Sequence, residues 1–242
     1  MLKESLTISP RFCGPSRSGN GGYVCGRIAR HVAGPATVRL MVPPPLDTEL
    51  RIEASEGVVS LRSGDTLVGE GRSATLDLAP PAPPSFADAV IASQSYLGFT
   101  THSFPRCFVC GPKRQKGDGL RIFAGPVKGQ RIVAAPWVVD ESLATDGAIG
   151  DEFIWAALDC PTAFAVLPVD EGKAVVLGQL SAQILGRVQP GEKCVVIGWP
   201  IHIEGRKRMA GSALYDASGK LVAMARAIWI EIPAGAFPAE NA

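Results

Sequence analysis

"SGKLVAMARAIWIEI", residues 218–232, leaves a Ser-Gly turn and then sets small or aliphatic residues against polar ones, the pattern of a long strand departing from a hairpin. Ser-Gly, polar residues, Leu-Val and an alternating run occur a second time as "SGDTLVGEGRSATLDL", residues 63–78. A single match of this kind is a common turn, so its weight comes from what precedes each copy. Ahead of residue 218 lie the strand-like runs "AVVLGQLSAQIL" and "EKCVVIGWPIHIEGRKRMAGSALYD", led by the helix candidate "GDEFIWAALDCPTAFAV", residues 150–166. Ahead of residue 63 lie "ATVRLMV" and "TELRIEASEGVVSLRS", led by a helix candidate at residues 20–32. A short strand pair, "GLRIFAGP" and "QRIVAAPWVV", is expected before the second helix. A helix followed by strands, given twice, implies an internal repeat in which each unit packs one amphipathic helix on an antiparallel sheet, an α+β arrangement.

The segment "LAPPAPPSFADAV", residues 78–90, is rich in proline and small residues and suits a semi-rigid spacer. The expected division is therefore an N-terminal unit at 1–80, a linker at 81–106 and a C-terminal unit at 107–234. With 242 residues, 46% of them hydrophobic, the chain can bury a substantial core. Lys and Arg total 24 against 23 Asp and Glu, so no overall field favours nucleic acid or an anionic membrane, and a small molecule is the expected partner. The opening "MLKESLTISPRF" has no apolar segment suited to export, and no run of about 18 apolar residues suits a membrane span, so a cytoplasmic location is expected. The six cysteines are then expected to be free thiols.

The stretch "SGNGGYVCGRIARHV", residues 18–32, places Gly21 and Gly22 at a helix start, where an interior glycine costs about 0.5–1 kcal/mol relative to alanine. Two gains offset that cost: a tight turn into a packed helix, or open backbone N–H groups for a ligand oxygen.

Two phrases carry a family resemblance. "CFVCGPKRQKGDGLRI", residues 107–122, resembles a segment that precedes the first strand in thioesterase-like hotdog proteins, and "AALDCPTAFAV" resembles their central helix. With the repeated helix-then-strands order, the chain looks like a tandem (double) hotdog of the acyl-CoA thioesterase-like superfamily, phenylacetyl-CoA thioesterase type. The fold this implies is a pair of antiparallel sheets, each wrapped around a central helix. The resemblance further implies a helix beginning His/Asn-Gly-Gly and a carboxylate eight residues after the first of these glycines. Eight residues of helix span about 12 Å, so donor and carboxylate for one carbonyl must come from two helices.

In the first half Asn20-Gly21-Gly22 matches the opening, but Ala29 stands where the carboxylate belongs; in the second half Asp151 and Glu152 replace the glycines, while Asp159 keeps the carboxylate. The resemblance thus implies one composite site, with the amides of Gly22 and Gly21 on a thioester oxygen, Asn20 capping the helix or touching the acyl group, and Asp159 as nucleophile or general base. The complementary combination of Asp151, Glu152 and Ala29 is expected to be inactive. Trp155 is a candidate pocket wall and Thr162, after a helix-breaking Pro161, a candidate to orient Asp159. Arg206 and Arg208 are candidates for coenzyme A phosphates.

Cys107 and Cys110 have the spacing of half a zinc site but lack a second pair, so a packed turn is the expected reading, with no metal and no cofactor. Cys160 has no histidine near it in sequence to make it a nucleophile. The expected activity is hydrolysis of acyl-CoA or another small acyl thioester, with no nucleic acid or membrane partner and a homodimer as a further option. The alternatives are a non-catalytic acyl or acyl-CoA binding protein and a hotdog dehydratase, which would need a histidine beside Asp159.

Overall fold

Gly64 and Gly219 both adopt the left-handed backbone, with φ of +55° and +82°, and each turns the chain into the last long strand of its half. The computed structural model describes residues 2–145 and 147–236. In chain order the first half holds β1 (Leu2–Thr7), α1 (Gly21–Ala29), β2 (Ala36–Leu40), β3 (Glu49–Ser55), β4 (Val58–Ser63) and β5 (Thr66–Ser73). After α2 (Phe86–Ser93) come β6 (Gly125–Pro126), β7 (Val133–Val138), the small pair β8 (Ala144–Thr145) and β9 (Ala148–Ile149), and α3 (Asp151–Phe164). The chain then runs through β10 (Lys173–Ile184), β11 (Lys193–Glu204), β12 (Lys207–Tyr215) and β13 (Leu221–Pro233).

Eleven strands form one antiparallel sheet in the order β1-β3-β4-β5-β2-β10-β13-β12-β11-β7-β6. The halves join where β2 pairs with β10, Thr37 facing Ser181 across the seam with their hydroxyls 2.7 Å apart. Counting outward from that seam, β2-β5-β4-β3-β1 on one side matches β10-β13-β12-β11-β7 on the other. The strand order is thus mirrored about the β2–β10 seam.

Helices α1 and α3 lie against each other on one face of this sheet, α1 over β2, β4 and β5 and α3 over β7 and β10 to β13. Their approach is closer than side chains permit. A Cβ on Gly22 would stand 2.4 Å from the Asp159 Cβ, and one on Gly26 would stand 2.5 Å from the Glu152 Cα. Advancing along α1 thus means retreating along α3, so the helices are antiparallel. Gly22 and Gly26 thus serve helix contact, which answers the question that the position of Gly22 raised.

The strands β7, β11 and β12 are covered on both faces. Val196 and Leu214 join the main core beneath α3, while Val195, Ile197, Ala213 and Ala134 join a second core with Ala89 and Ala92 of α2. Two-sided burial explains why β11 reads as a continuous apolar run rather than an alternation.

Four expectations change. The spacer contains α2, capped by Ser85 and packed on β7, so it is a structural layer as well as a connection. "GLRIFAGP" contributes only the two residues of β6, because Arg121 takes φ +54° and breaks the extended run before it. Pro161 sits inside α3 instead of ending it. The first helix stops at Ala29, short of residue 32.

Gly26→Ala will lower stability, since overpacking against the Glu152 backbone, at about 1–3 kcal/mol, outweighs a helix-propensity gain of under about 1 kcal/mol. Equilibrium urea unfolding measures this, and a variant as stable as the parent would show that the helices separate freely.

Candidate active site

Asp159 projects from the middle of α3 into the first turn of α1, where the backbone N–H groups have no partners within their own helix. Gly22 N–H donates to its Oδ2 at 2.9 Å and Asn20 Nδ2 donates to the same oxygen at 3.1 Å. Asn20 also caps α1, its Oδ1 accepting from Tyr23 N–H at 2.9 Å. Asn20 and Asp159 are both buried, at 2% and 1% exposure, so this is a desolvated carboxylate held by two donors. Its second oxygen, Oδ1, is buried and meets no donor among the described residues. Burial pushes the Asp159 carboxyl up to about 7, against the opposing pull of Gly22 N–H and Asn20.

Asn20, Gly21 and Asp159 line a cavity of about 520 Å³. Its other walls come from the end of β2 and the residues after it (Leu40 to Pro44), from the start of β10, and from the loop that carries His102, Phe104, Cys107 and Cys110. Residues separated by more than a hundred positions thus share one void because α1 and α3 cross beside the β2–β10 seam. Gly21 itself has no room for a side chain, since a Cβ there would meet Leu177 at 2.8 Å.

The remaining candidates fall elsewhere. Gly22 does not face the cavity: its N–H is engaged by Asp159, so the expectation that it would serve a substrate oxygen is corrected. Trp155 is packed between the helices, where a Cβ on Gly26 would touch it, and lines a different pocket. Thr162 is fully buried and joins two elements, donating to the Asp159 main-chain oxygen and accepting from Trp229 Nε1 at 2.7 Å. Arg208 is not available to a phosphate. It pairs with Glu231, donates to Val166 O at 2.9 Å and is largely buried, its partner lying on the neighbouring strand β13. Arg206 is exposed at the β11–β12 turn and lines neither pocket described here.

A second pocket has a volume of about 480 Å³. It is lined by the end of α1 (Ala29), the start of α3 (Asp151) and the far end of β10, and Arg187 forms an ion pair with Asp151. It holds no counterpart of Asp159.

Sequence reasoning missed His102, which the fold brings into the first cavity. Its Nδ1 accepts from Phe104 N–H at 3.0 Å and its Nε2 lies 3.4 Å from Cys110 Sγ, so both nitrogens are engaged. Among the described residues no helix is long and apolar enough to cross a membrane.

No family model and no curated protein matches the chain. Solved structures do match. A TesB protein of Mycobacterium avium subspecies paratuberculosis is 15% identical with a TM-score of 0.61, covering 96% of this chain and 93% of its own. A protein of unknown function with a hot dog fold from Alicyclobacillus acidocaldarius is 10% identical with a TM-score of 0.58, covering 95% and 93%. A candidate thioesterase II from Thermobifida fusca is 14% identical with a TM-score of 0.57, covering 96% and 93%. Across nearly its whole length, then, the chain has the hotdog fold found in proteins named as thioesterases.

Proposed function

We propose that the chain is a tandem hotdog, with units at 1–80 and 107–234 joined by residues 81–106, and that it hydrolyses an acyl thioester, acyl-CoA by preference, at one composite site. The mirrored strand order about the β2–β10 seam supports the tandem reading. The single observation that carries the activity is Asp159: a buried carboxylate beside the cavity, fixed through Oδ2 by Gly22 N–H and Asn20, with Oδ1 left without a donor among the described residues.

In this mechanism Asp159 acts as general base. Oδ1 takes a proton from water as the water oxygen adds to the thioester carbonyl carbon; the C–S bond then breaks and the proton passes to the departing thiolate. Gly21 N–H, at the positive end of α1, is the donor assigned to the carbonyl oxygen, replacing Gly22 in that role. Leu40, Met41, Phe104 and Leu177 supply apolar wall for the acyl chain. The pocket around Asp151 has no equivalent base, and its negative charge is paired with Arg187, so it is assigned no turnover.

A second reading, an acyl or acyl-CoA binding protein without turnover, is favoured by one observation: the best-placed amide of α1 is already occupied by Asp159. A panel of acyl-CoA esters separates the two. Hydrolysis is expected for at least one ester, and Asp159→Asn should reduce it by at least about 100-fold while the protein stays folded. Ligand-induced stabilisation without thiol release from any member would establish the binding reading instead. Asp151→Asn should leave the rate unchanged, because the second pocket is assigned no chemistry; a comparable loss in that variant would show that both sites work.

A further inference from the structure

Three of the cysteines converge on one point. Cys107 and Cys110 sit on the loop ahead of β6, Cys160 sits on α3, and their three sulfurs lie within 4.8 Å of one another, buried in the wall of the first cavity. The sequence supplies only the Cys-x-x-Cys pair; the third sulfur arrives by folding. We propose that Cys107, Cys110 and Cys160 bind one divalent ion of the zinc class through three thiolates, with its fourth position turned toward the cavity that Asp159 shares.

Geometry carries the assignment. Metal–sulfur bonds of about 2.3 Å opened to a tetrahedral angle separate two thiolates by about 3.8 Å. Cys107 Sγ and Cys160 Sγ are 3.8 Å apart. A disulfide would need them at about 2.05 Å, so this spacing fits a shared ion better than a covalent bond.

The surroundings suit sulfur ligands that carry negative charge. Asn20 Nδ2 points at Cys107 Sγ at 3.7 Å. Phe104 N–H donates to His102 Nδ1, which fixes the neutral ring's proton on Nε2, and that N–H faces Cys110 Sγ at 3.4 Å. His102 is therefore a positioning residue that donates to a thiolate, and it is not assigned as the fourth ligand. Two of the three sulfurs thus have an N–H donor from outside the cluster, the arrangement that orients metal ligands. Three protein ligands with an open position leave room for an oxygen or sulfur ligand from the cavity.

Cobalt(II) titration of the reduced, full-length wild-type chain tests this directly. One equivalent should bind, with sulfur-to-cobalt charge-transfer absorption and a tetrahedral visible spectrum, and zinc(II) should displace it. Cys110→Ser and Cys160→Ser should each abolish the charge-transfer band or weaken binding at least about 10-fold. Cys194→Ser, which alters a core thiol on β11 outside the cluster, should retain it. The absence of a charge-transfer band in the reduced wild-type chain overturns the proposal, whatever the variants do. So does a band that persists undiminished in both Cys110→Ser and Cys160→Ser.

Discussion

The bond between Gly22 N–H and the Asp159 carboxylate depends on a helix crossing too close for any side chain, and the cavity is shaped by that crossing. A carboxylate removed from water is costly unless donors replace its hydration, and here two N–H groups and the positive end of α1 do so. Without a Cβ on Gly22, the backbone of α3 approaches until those donors reach Oδ2. A single residue choice therefore serves packing and electrostatics together. It also leaves the carboxyl balanced between opposing influences: burial favours the neutral form, the two donors favour the charged one, and burial prevails.

Much of the architecture is legible before any coordinates because each half repeats one succession of apolar periods. The Ser-Gly turns at 63–64 and 218–219 fall where both chains of strands need a left-handed residue, and the Asn-Gly-Gly start falls where α1 begins. The pairing of Asn20 with Asp159 comes from the family resemblance, to which helix length adds one step: two groups about 12 Å apart on one helix cannot share a target, so they must come from two. What could not be seen is which atom each amide would face. Gly21 and Gly22 are neighbours in sequence, yet one borders the cavity and the other turns to α3.

The failures share a cause: they concern residues whose partner is set by register or by loop path. Arg208 looked like a free basic residue on a hairpin, but pairing of β12 with β13 places it opposite Trp229, and so two places from Glu231 on the same strand. That diagonal neighbour lies within reach of a long side chain. Its charge is consumed inside the fold. The run at 119–126 has the composition of a strand, but it follows a buried loop anchored at Cys107 and Phe108 and bends at Arg121, so composition misleads there. Cys160 lies 50 or more residues from either loop cysteine, beyond the reach of any spacing rule.

The inequality of the two pockets follows from the same crossing. Near one end, α1 begins without charge, and a carboxylate from α3 can enter its first turn. Near the other, α3 begins with Asp151 and Glu152, which complement its own helix dipole and, in the case of Asp151, draw Arg187 into an ion pair. A carboxylate from α1 at Ala29 would enter a region already holding two acidic groups, with burial adding to their repulsion. Alanine there avoids that cost. The structure thus places the desolvated carboxylate of Asp159 at the neutral helix start and charged side chains at the opposite end, so the two pockets differ in chemistry.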